Sequence, residues 1–291
     1  ADDGRLTVMV TPQPQPATLA QCQALLRSLA LAATCALASS TWAADRAIPL
    51  GALRSGIEFA GGDVKALQAD PAANPAQLWI ERGRALWQER PVPAKARPGT
   101  STTGSACQDC HASPRDLRGV AASFPKLHAV SGQLFNLEDQ IRHCRAEHQA
   151  LPAPHHESDD LLALTLLLTQ ASAGVPLHTP LSPALQPHWR AGEAIFMRRQ
   201  GQLNLACGHC HDRHWGRRLY TDPLSQGHPN GYPLYRLEWQ KPGSLERRLR
   251  SCFFGVRADI PPWGDLAMRQ LSLYLKWRAE GLPIEVPAVR K

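Results

Sequence analysis

The 291 residues are 43% hydrophobic, enough for one or two ordinary domains with real cores. Only 6% are aromatic, yet eight are tryptophan, so large apolar surface is concentrated locally. The formal net charge of +7 favours anionic partners without choosing among them. Nothing in the chain calls for a nucleic acid, and the one long apolar run is too short to span a membrane.

That run lies near the start. A Pro/Gln-rich stretch (Thr11–Ala17) and Arg27 precede thirteen small and apolar residues, Ser28–Ser40, ending near Thr41-Trp42-Ala43. A bilayer span needs about 20 such residues, so the pattern reads as a secretory signal peptide over 1–43, without a twin-arginine pair. Cys22 and Cys35 leave with it, and Ala32-Ala33-Thr34 is a poor lipobox before Cys35.

Six cysteines remain, and four of them form Cys107-Gln-Asp-Cys110-His111 and Cys207-Gly-His-Cys210-His211. C-x-x-C-H is the attachment signature of c-type haem. Two thiols add across the haem vinyl groups, and the next histidine lies under the iron as its proximal ligand. A redox C-x-x-C needs no such histidine, and zinc wants four ligands close together, whereas these pairs stand 100 residues apart. Two covalently attached haem c groups are expected.

The chain repeats itself. Gly83-Arg-Ala-Leu-Trp87 matches Gly192-Glu-Ala-Ile-Phe196, and Leu137–Cys144 matches Leu245–Cys252. Leu164, Leu166 and Leu168 match Leu271, Leu273 and Leu275, and Gly174–Leu177 matches Gly281–Ile284, at offsets of 107 to 109. The haem motifs are offset by 100, so the second copy carries extra residues after its motif. Each copy runs helix, C-x-x-C-H, long loop, short cysteine-bearing helix, final helix. That order predicts an all-α fold of two tandem class I cytochrome c-like domains, 44–182 and 183–291, with the proline-rich His178–His188 as a natural boundary and without a sizeable β-sheet.

The far side of each iron is the next question. Methionine is scarce: Met9 lies in the leader, Met197 precedes the second motif, and Met268 in the last helix is a minority candidate for the second haem. The repeat offers cysteine instead. Leu137, Ile141 and Cys144 stand at i, i+4, i+7, as do Leu245, Leu249 and Cys252, which puts each thiol on an apolar helix face. Histidine and thiolate on each iron is the preferred reading: His111 with Cys144, and His211 with Cys252. A thiolate lowers the reduction potential relative to methionine. A Cys144–Cys252 disulfide and two inert buried thiols are the alternatives, and His128, His143, His148, His155 and His156 are further candidate ligands for the first haem.

The two halves differ in charge. Cys207–Arg257 carries nine basic and four acidic residues, whereas Cys107–Arg145 carries five and four. Arg248 stands one helical turn before Cys252, where the first copy has Gln140, while Arg142 and Arg250 match and suit a shared architectural role such as a haem propionate. Guanidinium groups lower a neighbouring thiol's pKa and bind oxyanions in a forked geometry. One electron-transfer haem and one reactive, anion-binding haem–cysteine centre follow.

The segment Cys207–Asp259 resembles the SoxA family, the larger cytochrome subunit of the SoxAX complex of thiosulfate oxidation. The resemblance is densest at His211–Arg218 (HDRHWGRR), Leu224–Arg236 (LSQGHPNGYPLYR) and Arg250–Ala258 (RSCFFGVRA), and extends more weakly over about 48–284. It implies a periplasmic L-cysteine S-thiosulfotransferase that joins thiosulfate to a cysteine of a SoxYZ-type carrier, releasing two electrons to a SoxX-type small cytochrome in a heterodimer. It also implies Cys252 as the active-site cysteine, found as a persulfide in this family, with Arg248 holding the sulfonate end of thiosulfate. Some members lack the first haem motif, and this chain keeps it. A dihaem electron-transfer cytochrome without its own substrate, or a thiosulfate dehydrogenase forming tetrathionate, are the competing functions.

Overall fold

The computed structural model describes residues 46–91, 104–149 and 151–291, so the expected leader, with Cys22 and Cys35, lies outside the described residues. The described chain is mostly helical. Its principal helices are α1 (Gly62–Ala69), α2 (Ala76–Gln88), α3 (Leu137–Gln149), α4 (Asp159–Ala171), α5 (Gln186–Met197), α6 (Cys207–His211), α7 (Leu245–Gly255) and α8 (Leu266–Arg278).

Two helix crossings organise it, and a glycine makes each possible. Helix α2 buries Ala76, Ile80, Gly83 and Trp87, a stripe at helical spacing, against α4. Helix α4 is apolar on every side, with Leu161–Thr169 all buried, and Thr165 and Thr169 return their hydroxyls to the carbonyls of Leu161 and Thr165 at 2.7 Å. A Cβ on Gly83 would stand 2.4 Å from the carbonyl oxygen of Ala163, so only glycine lets the two backbones come this close. Helices α5 and α8 repeat the arrangement: a Cβ on Gly192 would lie 2.1 Å from the Gln270 carbonyl oxygen. Between them Trp189 meets Trp277 edge-on at 4.9 Å and Phe196 lies 5.3 Å from Tyr274, so the clustered tryptophans fill this second crossing.

The cysteine-bearing helices have matching ends. Asn136 and Asp139 cap the start of α3 reciprocally, at 2.7 and 3.1 Å, and the Ser244 hydroxyl accepts from the Arg247 amide at the start of α7. Asp139, buried in α3, takes a forked bond from Arg269 of α8 at 2.6 and 3.0 Å, which ties the first cysteine helix to the last helix of the chain.

Strands are short, as the absence of two-residue periodicity anticipates. Lys126–Leu127 pairs with Leu134–Phe135, and Arg218–Leu219 with Asp222–Pro223. A three-stranded sheet sets Leu234–Arg236 between Lys241–Gly243, antiparallel, and Val289–Arg290, parallel. The main apolar core runs from α2, α3 and α4 without a break into Ala279, Ile284 and Val286 of the C-terminal tail. Among the described residues no helix is long and apolar enough to cross a membrane.

Candidate functional site

The second attachment motif is itself a short helix, α6, which places Cys207, Cys210 and His211 on one turn. The Nδ1 of His211 bonds the carbonyl of Ser225 at 2.8 Å, so Nε2 is the ring nitrogen left for another partner. An outer-shell carbonyl of this kind fixes the tautomer and orientation of a metal-bound imidazole. Gly227, at φ +74°, lies flat against the same ring, where a Cβ would stand 2.9 Å from Cγ and 3.0 Å from Nδ1. The loop is thus a cradle shaped to the ring.

Cys252 of α7 is half-buried and within hydrogen-bond reach of His211. Burial pushes its thiol up, but the cation of Arg248, the bond and charge of His211, and Arg236 together pull it below the ordinary thiol range, to about 7. The motif sulfurs go the other way. Burial pushes Cys207 up to about 12, the charge of Cys252 adding to it, and raises Cys210 for the same reasons. Of these three sulfurs only Cys252 is lowered, because the cation of Arg248, together with His211 and Arg236, outweighs its burial. Arg248 gains reciprocally, its proton held more tightly by the charge of Cys252.

A second cation belongs here that the residue pattern alone did not single out. Arg236, on the central strand of the three-stranded sheet, has a side chain only 11% exposed; one nitrogen bonds Glu238 at 2.8 Å and its guanidinium lies 5.0 Å over the Trp239 ring. Its Nε is buried without a hydrogen-bond partner, and its charge reaches Cys252. Its sequence neighbours gave no helical spacing to Cys252, so only the fold brings it in.

The first motif gathers a looser set. Cys107 starts a single 3-10 turn, Cys107–Asp109, and Cys110 and His111 follow, both exposed. The indole of Trp87 lies 6.0 Å from the His111 ring, and its Nε1 is buried without a partner. Cys107 is raised by burial, with Cys144 close enough to add to the shift. Gln140 donates to the Cys144 sulfur at 3.3 Å, so the position that holds a cation over Cys252 holds a neutral amide over Cys144. None of the six described cysteines is paired in a disulfide.

Several further candidates have contacts of their own. Arg142 and Arg250 donate to the carbonyls of Pro154 and Pro261, at matching places in the repeat, and so secure the loop after each cysteine helix. His128 stacks on Phe135 at 4.6 Å with His143 edge-on, and His156 stacks on Trp263. Met268 is buried in α8 at 2% exposure.

The residues fit a covalently held haem: paired cysteines, a histidine whose Nδ1 is fixed by a carbonyl, and a third cysteine within hydrogen-bond reach of that histidine. Comparison with known proteins agrees. Residues 82–177 match the model of the SoxA/TsdA cytochrome c domain, so the chain contains a haem c-binding fold. The chain is 34% identical over 239 residues to the L-cysteine S-thiosulfotransferase subunit SoxA of Pseudaminobacter salicylatoxidans, covering 81% of this chain and 80% of that one. It is 32% identical to the subunit of the same name from Rhodovulum sulfidophilum, over 82% and 80%. The solved structure of SoxXA from Paracoccus pantotrophus superposes with a TM-score of 0.75 at 29% identity, over 82% of this chain and 87% of that one. With its cysteine helices, its histidine cradle and these relatives in agreement, the chain belongs to the SoxA family.

Proposed function

We infer that this chain is the L-cysteine S-thiosulfotransferase subunit of a SoxAX-type cytochrome, oxidatively joining thiosulfate to a cysteine thiol of a SoxYZ-type carrier. The sulfur–sulfur bond forms between the carrier thiol and the outer sulfur of thiosulfate. One proton and two electrons leave, and a SoxX-type partner in the heterodimer takes the electrons onward. The observation that carries this reading is the meeting of Cys252, Arg248 and His211 in the second half, where the first half offers Cys144 and Gln140.

In this reading the chain holds two haem c groups, one on Cys107 and Cys110 with His111 and Cys144 as ligands, the other on Cys207 and Cys210 with His211 and Cys252. Haem iron supplies one-electron acceptors. The protein does the rest: Arg248, with Arg236 beside it, binds the sulfonate oxygens, and Cys252 presents its sulfur to the substrate. The matching helix crossings at Gly83 and Gly192 support two tandem cytochrome c-like halves, 44–182 and 183–291. The leader over 1–43 supports secretion to the periplasm.

Cys252→Ala, assayed with thiosulfate, carrier and the small cytochrome, tests the reading. Loss of carrier-dependent cytochrome reduction with both haems attached is the expected result. Undiminished reduction would make the chain an electron-transfer subunit only, and turnover of thiosulfate without carrier would make it a tetrathionate-forming dehydrogenase.

A further inference from the structure

The far side of His211 is fastened by more groups than ligation of an iron requires. Ser225, whose carbonyl takes the His211 bond, is followed by Gln226, which is completely buried. The Gln226 side chain accepts from the Arg54 amide at 2.7 Å and from His228 at 3.0 Å, and donates to the Ala52 carbonyl at 3.0 Å. Its own carbonyl accepts from Nη1 of Arg278 at 3.0 Å. Nη2 of Arg278 bonds the carboxylate of Asp212, the residue after His211. Arg278, 6% exposed and over the Phe196 ring at 4.4 Å, therefore grips both the loop that holds the histidine and the motif that bears it.

Among the described residues nothing comparable stands at the equivalent places in the first half. At the repeat offsets Arg278 corresponds to Ala171 and Asp212 to Ala112, and the loop Ser225–Gly227 belongs to the extra residues after the second motif. His111 is exposed, with an indole rather than a fixed loop beside it. The two histidines begin with the same motif, and among the described residues only His211 is clamped.

We propose that Arg278 is a positioning residue: by holding the Ser225–Gly227 loop and Asp212 together, it fixes the ring of His211 and keeps the second haem at low potential. A histidine whose far nitrogen donates to a fixed carbonyl is a more basic ligand, and a more basic ligand favours the oxidised iron. The ring has no free rotation, because Gly227 closes one face and the carbonyl bond fixes the edge. Release of the loop loosens both at once. The inference rests on the assignment of His211 as a ligand.

The test is spectropotentiometry and electron paramagnetic resonance of the intact chain with its cytochrome partner. Arg278→Lys keeps the charge but can reach only one of the two acceptors. The paired change Arg278→Gln with Asp212→Asn removes both charges together, so the local net charge stays the same. In both, the low-spin ferric signal of the second haem is expected to spread into more than one population and its midpoint to rise, least in Arg278→Lys, with the first haem unmoved. Sharp signals and an unmoved midpoint in a folded, fully loaded protein overturn the inference, even if thermal stability falls. Failure of the paired variant to fold leaves Arg278→Lys to decide by the same criterion. Absence of haem from Cys207 and Cys210 in the unmodified chain overturns the ligand assignment and this inference together.

Discussion

Pro176 bridges to Pro283 in an antiparallel pair, and each proline occupies the other's place in the internal repeat. The flanking bonds run both ways: Gly174 N to Ile284 O at 2.9 Å, Ile284 N to Val175 O at 3.0 Å, Leu177 N to Leu282 O at 2.9 Å and Gly281 N to Leu177 O at 2.9 Å. Two segments of matching sequence thus pair with each other, in the way two-fold related strands do in a symmetric dimer. The segments leave helices α4 and α8 through glycines at φ +75° and +86°, a conformation that favours glycine.

This pairing carries Ile284 into the core of the first half. Ile284 is 3% exposed and packs in the same cluster as Leu137, Leu161 and Leu167. Ile284→Ala should destabilise the whole chain by about 2–5 kcal/mol, the usual cost of truncating a buried aliphatic side chain. Thermal unfolding followed at both haem Soret signals should show one transition, shifted down at both. A first-haem transition that stays in place would mean the two halves unfold separately.

The close crossing of α5 and α8 makes Gly192 a second sensitive point. A Cβ there meets the Gln270 backbone at 2.1 and 2.7 Å and the Tyr274 Cβ at 2.9 Å, and backbone on a packed helix cannot swing aside as a side-chain tip can. Gly192→Ala is expected to cost about 1–3 kcal/mol or more through forced separation of the helices. Chemical denaturation measures it. A neutral result would mean the helices slide apart freely.

Arg248 and Gln140 divide the two halves chemically. Arg248→Gln installs the first half's group in the second, removing the cation while keeping a donor over the sulfur. A charged hydrogen bond is worth about 1.5–3 kcal/mol, so kcat/KM for thiosulfate should fall about 10- to 100-fold. Arg236→Met removes the orphan Nε and should raise KM more than it lowers kcat, since its cation assists binding from the side. Steady-state kinetics with carrier in excess separates the two. Equal kcat/KM for wild type and Arg248→Gln would remove Arg248 from the site.

Much of this arrangement is written locally. The attachment motifs set each cysteine pair beside its histidine by adjacency, and the i, i+4, i+7 spacing puts Cys144 and Cys252 on helix faces whose leucine and isoleucine neighbours are mostly buried, Leu137, Ile141 and Leu249 among them. The difference between Gln140 and Arg248 is equally plain, because one helical turn converts sequence distance into contact. Arg236 and the Gln226–Arg278 clamp are another matter. Arg278 meets Gln226 across 52 residues, and Gln226 meets Arg54 across 172, with no period linking them. Only the closed fold brings such groups together. The glycines of the repeat matched in sequence, but their purpose shows only when a carbonyl is found where a Cβ would be.

Glu246 gives the pH dependence a definite sign. With its counterpart Glu138 it lines a cavity of about 60 Å³ between the cysteine helices, together with Glu157 and Lys276. Burial drives the Glu246 carboxyl up to about 7, with the charge of Asp139 adding to it, while its bond from the Gly264 amide at 2.8 Å and the cations of Arg250 and Arg269 oppose the shift. The folded chain therefore holds this proton more tightly than the unfolded one. Stability is full below the unfolded carboxyl value of about 4 and falls as pH rises toward about 7. One group contributes at most about 1.4 kcal/mol per pH unit to that slope. Glu246→Gln keeps an acceptor for Gly264 and cannot ionise, so its unfolding free energy should change less between pH 5 and about 7 than that of the wild type. Denaturant melts at several pH values decide it, and parallel slopes would place the titrating carboxyl elsewhere, with Glu138, also raised to about 7 by burial, as the next to replace.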